Sequence, residues 1–237
     1  MDATTLPRAW AAALALDYWP EIAQGTLDTL LMTGLSLLFT VLIGLPLGIA
    51  LFLSGWSQRS EQPAIARLQA LSYAVLSLLV NVLRSVPFLI LLILLIPATR
   101  VLAGTSLGVR GSIPPLVIAA APFFARLTEN LLREVDRGVF EACRAMGATT
   151  RQLVLWALLP ETLPGLLAAI LVTAIALVGY SAMSGVIGGG GLGDLAVRYG
   201  YQRFNTPVMI VTVAILVVLV QLLQVFGDRL VARISHR

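Results

Sequence analysis

The sequence predicts an all-α membrane protein, with five transmembrane helices in a single domain over residues 1–237. Hydrophobic residues make up 58% of the chain and charged residues 12%, whereas soluble domains are about half apolar and about a quarter charged. Five segments are long enough to span a bilayer, because about 20 apolar residues rising 1.5 Å each cross its hydrocarbon core. The arginines also fall mainly on one side of these segments. This pattern excludes soluble globular and disordered proteins.

The predicted spans cover residues 26–54, 68–102, 112–133, 162–184 and 206–228. In the first span no charged residue occurs from Leu30 to Leu53. Thr26 or Asp28 can cap its start, and Trp56 suits the membrane interface at its end. The apolar stretches of the last three spans are Ile113–Leu132, which contains Arg126 and Glu129, then Leu163–Met183 and Pro207–Phe226.

The second span allows two interpretations, because Arg84 to Pro87 interrupt its apolar run. It is either one helix kinked at Pro87 or a hairpin of two helices. Each half of a hairpin would have about 16 residues, or about 24 Å, which is short of the roughly 30 Å hydrocarbon core. Five spans are therefore preferred over six.

Charge sorting supports five spans and gives an orientation. With five spans, nine arginines fall on one side, at positions 59, 67, 133, 137, 144, 151, 229, 233 and 237. Five fall on the other side, at positions 8, 100, 110, 198 and 203. Because cytoplasmic loops carry the excess of basic residues, we expect the N-terminus outside and the C-terminus in the cytoplasm.

Several kinds of chemistry are excluded by residues that the chain lacks. All 16 basic residues are arginine, so neither a Walker A phosphate loop nor a Schiff-base lysine can form. Cys143 is the only cysteine and His236 the only histidine, which excludes an internal disulfide and a His-rich metal site. The net charge of +4 is assigned to cytoplasmic loops rather than to nucleic-acid binding. We expect no catalytic residue, metal or cofactor in this chain.

The run Gly188–Gly193 matches G-x-G-x-x-G in form only. A dinucleotide site also needs a preceding strand and a βαβ unit, whereas this run follows a membrane span. We expect a flexible or tightly turned outer loop.

Polar residues inside the predicted spans allow a functional and a structural interpretation. Arg84 is costly near the bilayer centre and must face protein, water or a partner group. Asn81, three residues earlier, can accept a hydrogen bond from it. Arg126 with Asn130, and Glu129 with Arg133, are spaced for local pairing along the third span. Either a translocation path or a structural clamp would explain Arg84.

Two further features concern anchoring and packing. The run Ala9–Leu16, with Trp10, Tyr18 and Trp19 around it, is too short to span and fits an interfacial anchor. Gly44 and Gly48 form a G-x-x-x-G motif that lets two helices approach closely.

The segment Gly138–Pro160 is neither a span nor a plain linker. Phe140, Cys143 and Met146 recur at three-residue spacing, as in a short amphipathic helix. Gly147 should end this helix.

A second short helix should follow in the same segment. Thr149 and Gln152 are spaced as a capping box that opens it, and Pro160 should end it. Two short helices would form a compact cytoplasmic protrusion. A pair of helices lying on the lipid surface is the alternative.

This segment resembles the EAA loop of the permeases of ABC importers. That pattern is E-A-A, three residues, G, nine residues and I-x-L-P, and it is matched by Glu141-Ala142-Cys143, Gly147 and Leu159-Pro160. Cys143 replaces an alanine and Ala157 the isoleucine. Other runs resemble the permeases of methionine importers, namely residues 81–87, 120–130, 179–183, 191–193 and 199–201.

The resemblance implies a permease subunit that carries methionine into the cytoplasm by alternating access. The substrate would be L-methionine, with D-methionine as an open addition. It further implies a homodimer in the bacterial inner membrane, two ATPase subunits that bind ATP and Mg, an external binding protein, and surrounding lipid. It assigns ATPase coupling to Phe140, Glu141, Ala142, Cys143, Met146, Gly147, Leu159 and Pro160. Asn81, Arg84 and Met183 become candidates for the path or gate.

Within the EAA loop the resemblance implies distinct roles. Glu141 would make polar contacts at the start of the coupling helix, Gly147 would permit a sharp exit, and Phe140 and Met146 would fill apolar pockets of the ATPase.

Three other functions stay open at this point. A permease of the same type could carry another amino acid or a phosphonate. A membrane enzyme acting on lipid head groups would need paired carboxylates or a metal cluster, and the chain offers scattered acids such as Glu134 and Asp136. A scaffold without transport is the last alternative.

Overall fold

The structure is a computed structural model that describes residues 18–56 and 63–234, without the side chains of residues 63–65. Within these ranges every regular element is a helix. The predicted anchor at Ala9–Leu16 and Trp10 lies outside the described residues.

The α-helices fall into long and short groups. The long ones are α1 Trp19–Trp56, α2 Pro63–Ser85, α5 Gly108–Glu134, α8 Leu159–Ser184 and α10 Thr206–Ile234. The short ones are α3 Phe88–Leu94, α4 Ile96–Ala103, α6 Arg137–Ala145, α7 Thr150–Gln152 and α9 Gly191–Leu195. Two π-helical turns, Leu153–Leu158 and Ala196–Tyr201, and one 3₁₀ turn, Gly185–Ile187, complete the set.

Five helical segments in the described part of the chain are long and apolar enough to cross a membrane. They are Trp19–Trp56, Ala66–Ser85, Gly108–Glu134, Thr150–Ile187 and Thr206–Ile234. The predicted all-α, five-span fold class is therefore confirmed.

The first two spans have different bounds from those predicted. Helix α1 begins at Trp19, so Thr26 and Asp28 lie within it and neither is its N-cap. The Thr26 hydroxyl instead donates back to the Ile22 carbonyl at 2.8 Å.

The predicted second span, residues 68–102, is not one continuous helix. Helix α2 ends at Ser85, and two short helices follow. Pro87 directly precedes α3 and has extended backbone angles (φ −56°, ψ 134°). A proline has no N–H to donate to the preceding turn and keeps the residue before it out of the helical region, which explains the break.

The chain divides into two units. One contains the chain up to Leu38 with Pro87–Val117 and Ala174–Gln224, and the other contains Phe39–Val86, Ile118–Thr173 and the chain from Val225. The core of the first unit is formed by Ile22, Leu192, Leu195, Tyr199 and Val208. The core of the second includes Phe52, Leu132, Phe140, Leu153 and Leu158.

In the second unit, Gly44 and Gly48 let α1 lie directly against α5. A Cβ atom at Gly44 would lie 2.9 Å from the Ala121 carbonyl oxygen, and one at Gly48 would lie 2.6 Å from both the Ala125 carbonyl oxygen and the Thr128 Cβ. These distances are shorter than van der Waals contact. The predicted role of the G-x-x-x-G motif as a close helix contact is confirmed.

In the first unit, the glycine run forms a tight turn. Gly188, Gly190 and Gly191 have positive φ angles of 85°, 80° and 80°, a region that L side chains rarely adopt. The turn packs on α1, where the Leu192 N–H donates to the Thr29 hydroxyl at 2.9 Å. A glycine turn held by α1 matches the predicted loop.

Candidate coupling site

The candidate coupling site begins with the short helix α6. Asp136 caps it and accepts from the Gly138 N–H at 2.6 Å. The helix ends before Gly147, whose φ of +72° turns the chain sharply. The Ala148 N–H then donates to the Cys143 carbonyl at 3.0 Å. The predicted short helix ended by Gly147 is confirmed.

A capping box opens the second helix as predicted. The Thr149 N–H donates to Gln152 Oε1 at 2.9 Å, and the Gln152 N–H donates to the Thr149 hydroxyl at 3.3 Å. Both bonds satisfy N–H groups that a helix start leaves unpaired.

The expected end of this helix at Pro160 is wrong. The helix passes through a π-helical turn and continues as α8 to Ser184. In that turn the Leu159 N–H donates to the Val154 carbonyl, five residues back. Because the register changes immediately before Pro160, the missing proline N–H does not interrupt an α-helical ladder.

The inner face of the segment is fixed by an aromatic stack. The Phe140 ring lies 4.2 Å from the Trp56 ring and 6.0 Å from the Phe52 ring, centroid to centroid. Only 3% of Phe140 is exposed. The expectation that Phe140 fills a pocket of a partner is therefore wrong, because its own chain already buries it. Phe140 attaches α6 to the end of α1.

The outer face carries the exposed residues. Met146 is 77% exposed, and Glu141, Ala142, Gly147 and Pro160 are also exposed. Cys143, a free thiol, and Leu159 are half-buried.

The sequence interpretation missed Trp156 as a surface residue, although it is 74% exposed beside exposed Leu155. The apolar run Leu153–Trp156 contained the signal. Four consecutive helical residues cannot share one face, and Leu153 and Val154 are the two that point into the core.

A polar cluster joins α2 and α5 in the second unit. Glu129 is fully buried, and its two carboxylate oxygens each lie 2.6 Å from an arginine, Arg126 on one side and Arg133 on the other. Arg126 donates to Asn81 Oδ1 at 2.8 Å and Arg133 to the Tyr73 hydroxyl at 3.0 Å. The predicted pairing of Glu129 with Arg133 is confirmed.

Two other predicted pairs are replaced in this cluster. Asn81 was expected to accept from Arg84, but it accepts from Arg126 on the neighbouring helix. Arg126 pairs with Glu129 rather than with Asn130. Opposite charge favours Glu129, since a charge-assisted bond is stronger than one to an amide.

The path and gate candidates lie in different units. Asn81 and Arg84 are exposed on α2, and Arg84 has no hydrogen-bond or ionic partner among residues 18–56 and 63–234. Met183, near the end of α8, is 48% exposed. Their assignment to a path stays a prediction.

A tyrosine in the first unit is surrounded by charge. The guanidinium carbons of Arg198 and Arg203 each lie 4.7 Å from the centre of the Tyr199 ring, within cation–π range. A hydrogen bond to the Glu21 carboxylate raises the pKa of the Tyr199 phenol.

Comparison with known families assigns residues 63–237 to one family model. Its description is a binding-protein-dependent transport system inner membrane component. The match covers more than half of the chain and includes the complete α6 to α8 segment.

Two similar proteins come from different bacteria. The chain is 45% identical to the probable D-methionine transport system permease protein MetI of Pasteurella multocida, over 92% of this chain and 98% of that protein. It is 48% identical to the methionine import system permease protein MetP of Bacillus subtilis, over 69% and 74% of the two chains.

A solved structure has the same fold. A chain of the MetNI methionine ABC transporter in an inward-facing conformation matches with a TM-score of 0.86 and 45% identity, over 94% of this chain and 100% of that chain. With the family match over residues 63–237, this places the chain in the family of binding-protein-dependent transport system inner membrane components.

Proposed function

We propose that this chain is the permease subunit of an ATP-driven importer that carries methionine into the cytoplasm by alternating access. The names of both relatives support methionine as the substrate, and the D form is included because the name of the Pasteurella multocida protein specifies D-methionine. The observation that carries the proposal is the α6 to α8 segment. It is fixed to the membrane helices on one face and exposed on the other.

The proposed assembly contains two copies of this chain, two ATPase subunits and an external binding protein, all in or on the inner membrane with its lipid. ATP and Mg belong to the ATPase in this proposal. The lack of lysine supports that division, since a P-loop needs a lysine on the phosphates. The N-terminus is proposed outside and the C-terminus in the cytoplasm, following the arginine distribution.

The coupling step is proposed to run from the exposed face of α6 to the core beneath it. Glu141 and Met146 would contact the ATPase, and a contact that differs between its open and closed states would shift the permease between its own two states. A partner with equal affinity for both states would shift nothing. Phe140 and Trp56 would transmit the movement, because rings stacked at 4.2 Å cannot slide apart without losing buried contact area.

Asn81, Arg84 and Met183 are proposed to line the path or its gate. Arg84 lies in the last turn of α2 and has no hydrogen-bond or ionic partner in the described part of the chain, and a charge at a span requires water, protein or substrate around it. An amino-acid carboxylate is a suitable transient partner.

Uptake by the reconstituted complex tests this function. The permease and its ATPase would be placed in liposomes with the binding protein and labelled methionine. Glu141→Ala should leave the complex assembled but reduce ATP-dependent uptake by more than about tenfold, since removing a charged contact costs about 1.5 kcal/mol or more. Glu134→Ala, which removes an exposed carboxylate at the end of α5, is the matched control.

A competition panel separates the alternative substrates. Excess unlabelled L- or D-methionine should suppress uptake, whereas other amino acids and a phosphonate should not.

Normal uptake by the Glu141→Ala complex would refute the coupling role. An assembled complex without ATP-dependent uptake of any amino acid would favour the enzyme or scaffold alternatives.

A further inference from the structure

A cavity of about 230 Å³ lies where α1 and α5 end in the second unit, compared with about 30 Å³ for one water molecule in the liquid. Its lining consists of Phe52, Gly55, Trp56, Arg133, Val135 and Arg137. Two of these side chains carry a positive charge and none carries a negative one. The cavity therefore has an apolar aromatic wall and carries the two positive charges of Arg133 and Arg137.

Arg133 has donors left over after its internal bonds. Its contacts to Glu129 and to Tyr73 both use Nη2. Nε and Nη1 have no hydrogen-bond partner among the described residues. Gly55 provides the space for this arrangement, since a Cβ there would lie 3.1 Å from the same Nη2. Arg133 can thus bind a second anionic group besides Glu129.

Arg137 has no role in stabilising its own helix. It is the first residue of α6, and a positive charge is unfavourable at a helix N-terminus. The N-cap beside it, Asp136, is occupied by the Gly138 N–H at 2.6 Å. Arg137 makes no ion pair or hydrogen bond within residues 18–56 and 63–234. A guanidinium placed against the helix dipole and without a partner lines the same cavity as Arg133.

The aromatic wall is rigid and lies at the end of a span. Trp56 stacks on Phe140 at 4.2 Å and on Phe52 at 5.8 Å, and the Arg144 guanidinium carbon lies 5.9 Å from the Trp56 ring centre. Tryptophan at a helix end is typical of the membrane interface, and basic pockets between membrane helices on the cytoplasmic side bind the head groups of anionic lipids. A free anion would gain little from the indole and phenyl walls.

We propose that this cavity binds the phosphate of an anionic phospholipid head group, with Arg133 and Arg137 as its ligands and Trp56 against the lipid backbone. Guanidinium groups suit phosphate oxygens because their N–H donors form paired, charge-assisted bonds. The site goes beyond methionine transport. It gives the coupling segment a direct contact with the lipid composition of the membrane.

Native mass spectrometry of the purified permease–ATPase complex tests the site. The complex would be titrated with phosphatidylglycerol, with phosphatidylcholine and with inorganic phosphate. Wild type should bind phosphatidylglycerol in preference to phosphatidylcholine. Arg137→Gln should weaken that binding by about fivefold, as expected for one basic residue at a membrane surface. Arg137→Lys should retain most of it.

The matched control is Arg151→Gln, which removes an exposed arginine of the same segment that does not line the cavity. It should bind phosphatidylglycerol as wild type does. Equal binding by Arg137→Gln and Arg151→Gln would overturn the proposal, as would equal affinity for the two lipids. Arg137-dependent binding of inorganic phosphate as tight as that of phosphatidylglycerol would also overturn it, since the ligand would then be a free phosphate.

Discussion

The Phe140 ring stacks on the Trp56 indole with 4.2 Å between centroids and 23° between planes. This contact joins the first helix of the coupling segment to the end of the first span. It turns an amphipathic helix that could lie on lipid into part of the protein core. The Phe140 side of α6 is therefore covered by protein and is not free to insert into lipid.

Phe140→Ala should destabilise the permease by about 3 to 5 kcal/mol, since it removes a buried ring and leaves a cavity. Met146→Ala, at the C-cap of α6, should change stability by less than about 0.5 kcal/mol, because that side chain is 77% exposed. Thermal unfolding of the two purified variants measures the difference. Equal shifts in Tm would show that the stack does not hold the segment.

Glu129→Gln should cost about 3 kcal/mol or more, because it leaves two arginines without their buried carboxylate. The substitution keeps the side chain's shape, so the loss is one of charge. Thermal unfolding should detect it, with Glu134→Gln at the exposed end of the same helix as the control. A wild-type Tm for Glu129→Gln would mean that water replaces the carboxylate without loss.

Gly48→Ala should destabilise the protein by about 1 to 3 kcal/mol, because the added Cβ would overlap with α5 unless α1 and α5 move apart. Gly34→Ala in the same helix has nothing within 4 Å of the new Cβ. It should stabilise by about 0.5 to 1 kcal/mol through reduced backbone entropy of the unfolded chain. Opposite shifts in Tm are expected, and a stabilising Gly48→Ala would contradict the close contact.

Thr149→Ala removes one half of the capping box and should cost about 1 kcal/mol of local helix stability. Thr150→Ala, at the next and equally exposed position, keeps the box intact. Amide hydrogen exchange over residues 150–155 compares the two variants. Exchange should accelerate by about fivefold in Thr149→Ala only, and the same protection in both would show that the cap is not needed.

Local patterns in the sequence predicted much of this molecule. Span length and apolar run predicted five membrane helices, and the positions of Gly147, Thr149 and Gln152 predicted how the coupling segment folds. The features of the coupling segment are each decided within one or two helical turns, and each span within about 20 or more consecutive residues. No information from distant parts of the chain is needed.

The sequence did not show which part of the protein covers each face of α6. The three-residue spacing of Phe140, Cys143 and Met146 shows that they lie near one another on α6, but not that Trp56 covers the first while the last stays exposed. The sequence likewise did not show the hydrogen bond that Asn81 accepts, because its partner Arg126 lies 45 residues away on another helix. The break after Ser85 also depends on neighbouring groups, because they decide whether the backbone groups freed by a proline find hydrogen-bond partners in lipid. The sequence of one span does not specify these neighbours.

Site-directed photo-crosslinking tests the coupling role most directly. A photoreactive residue at position 146 of the assembled complex should form an adduct with the ATPase subunit. The same residue at position 101, where Val101 on α4 is 86% exposed, should form none. An adduct of position 146 with lipid alone, in a complex that transports methionine, would contradict the account.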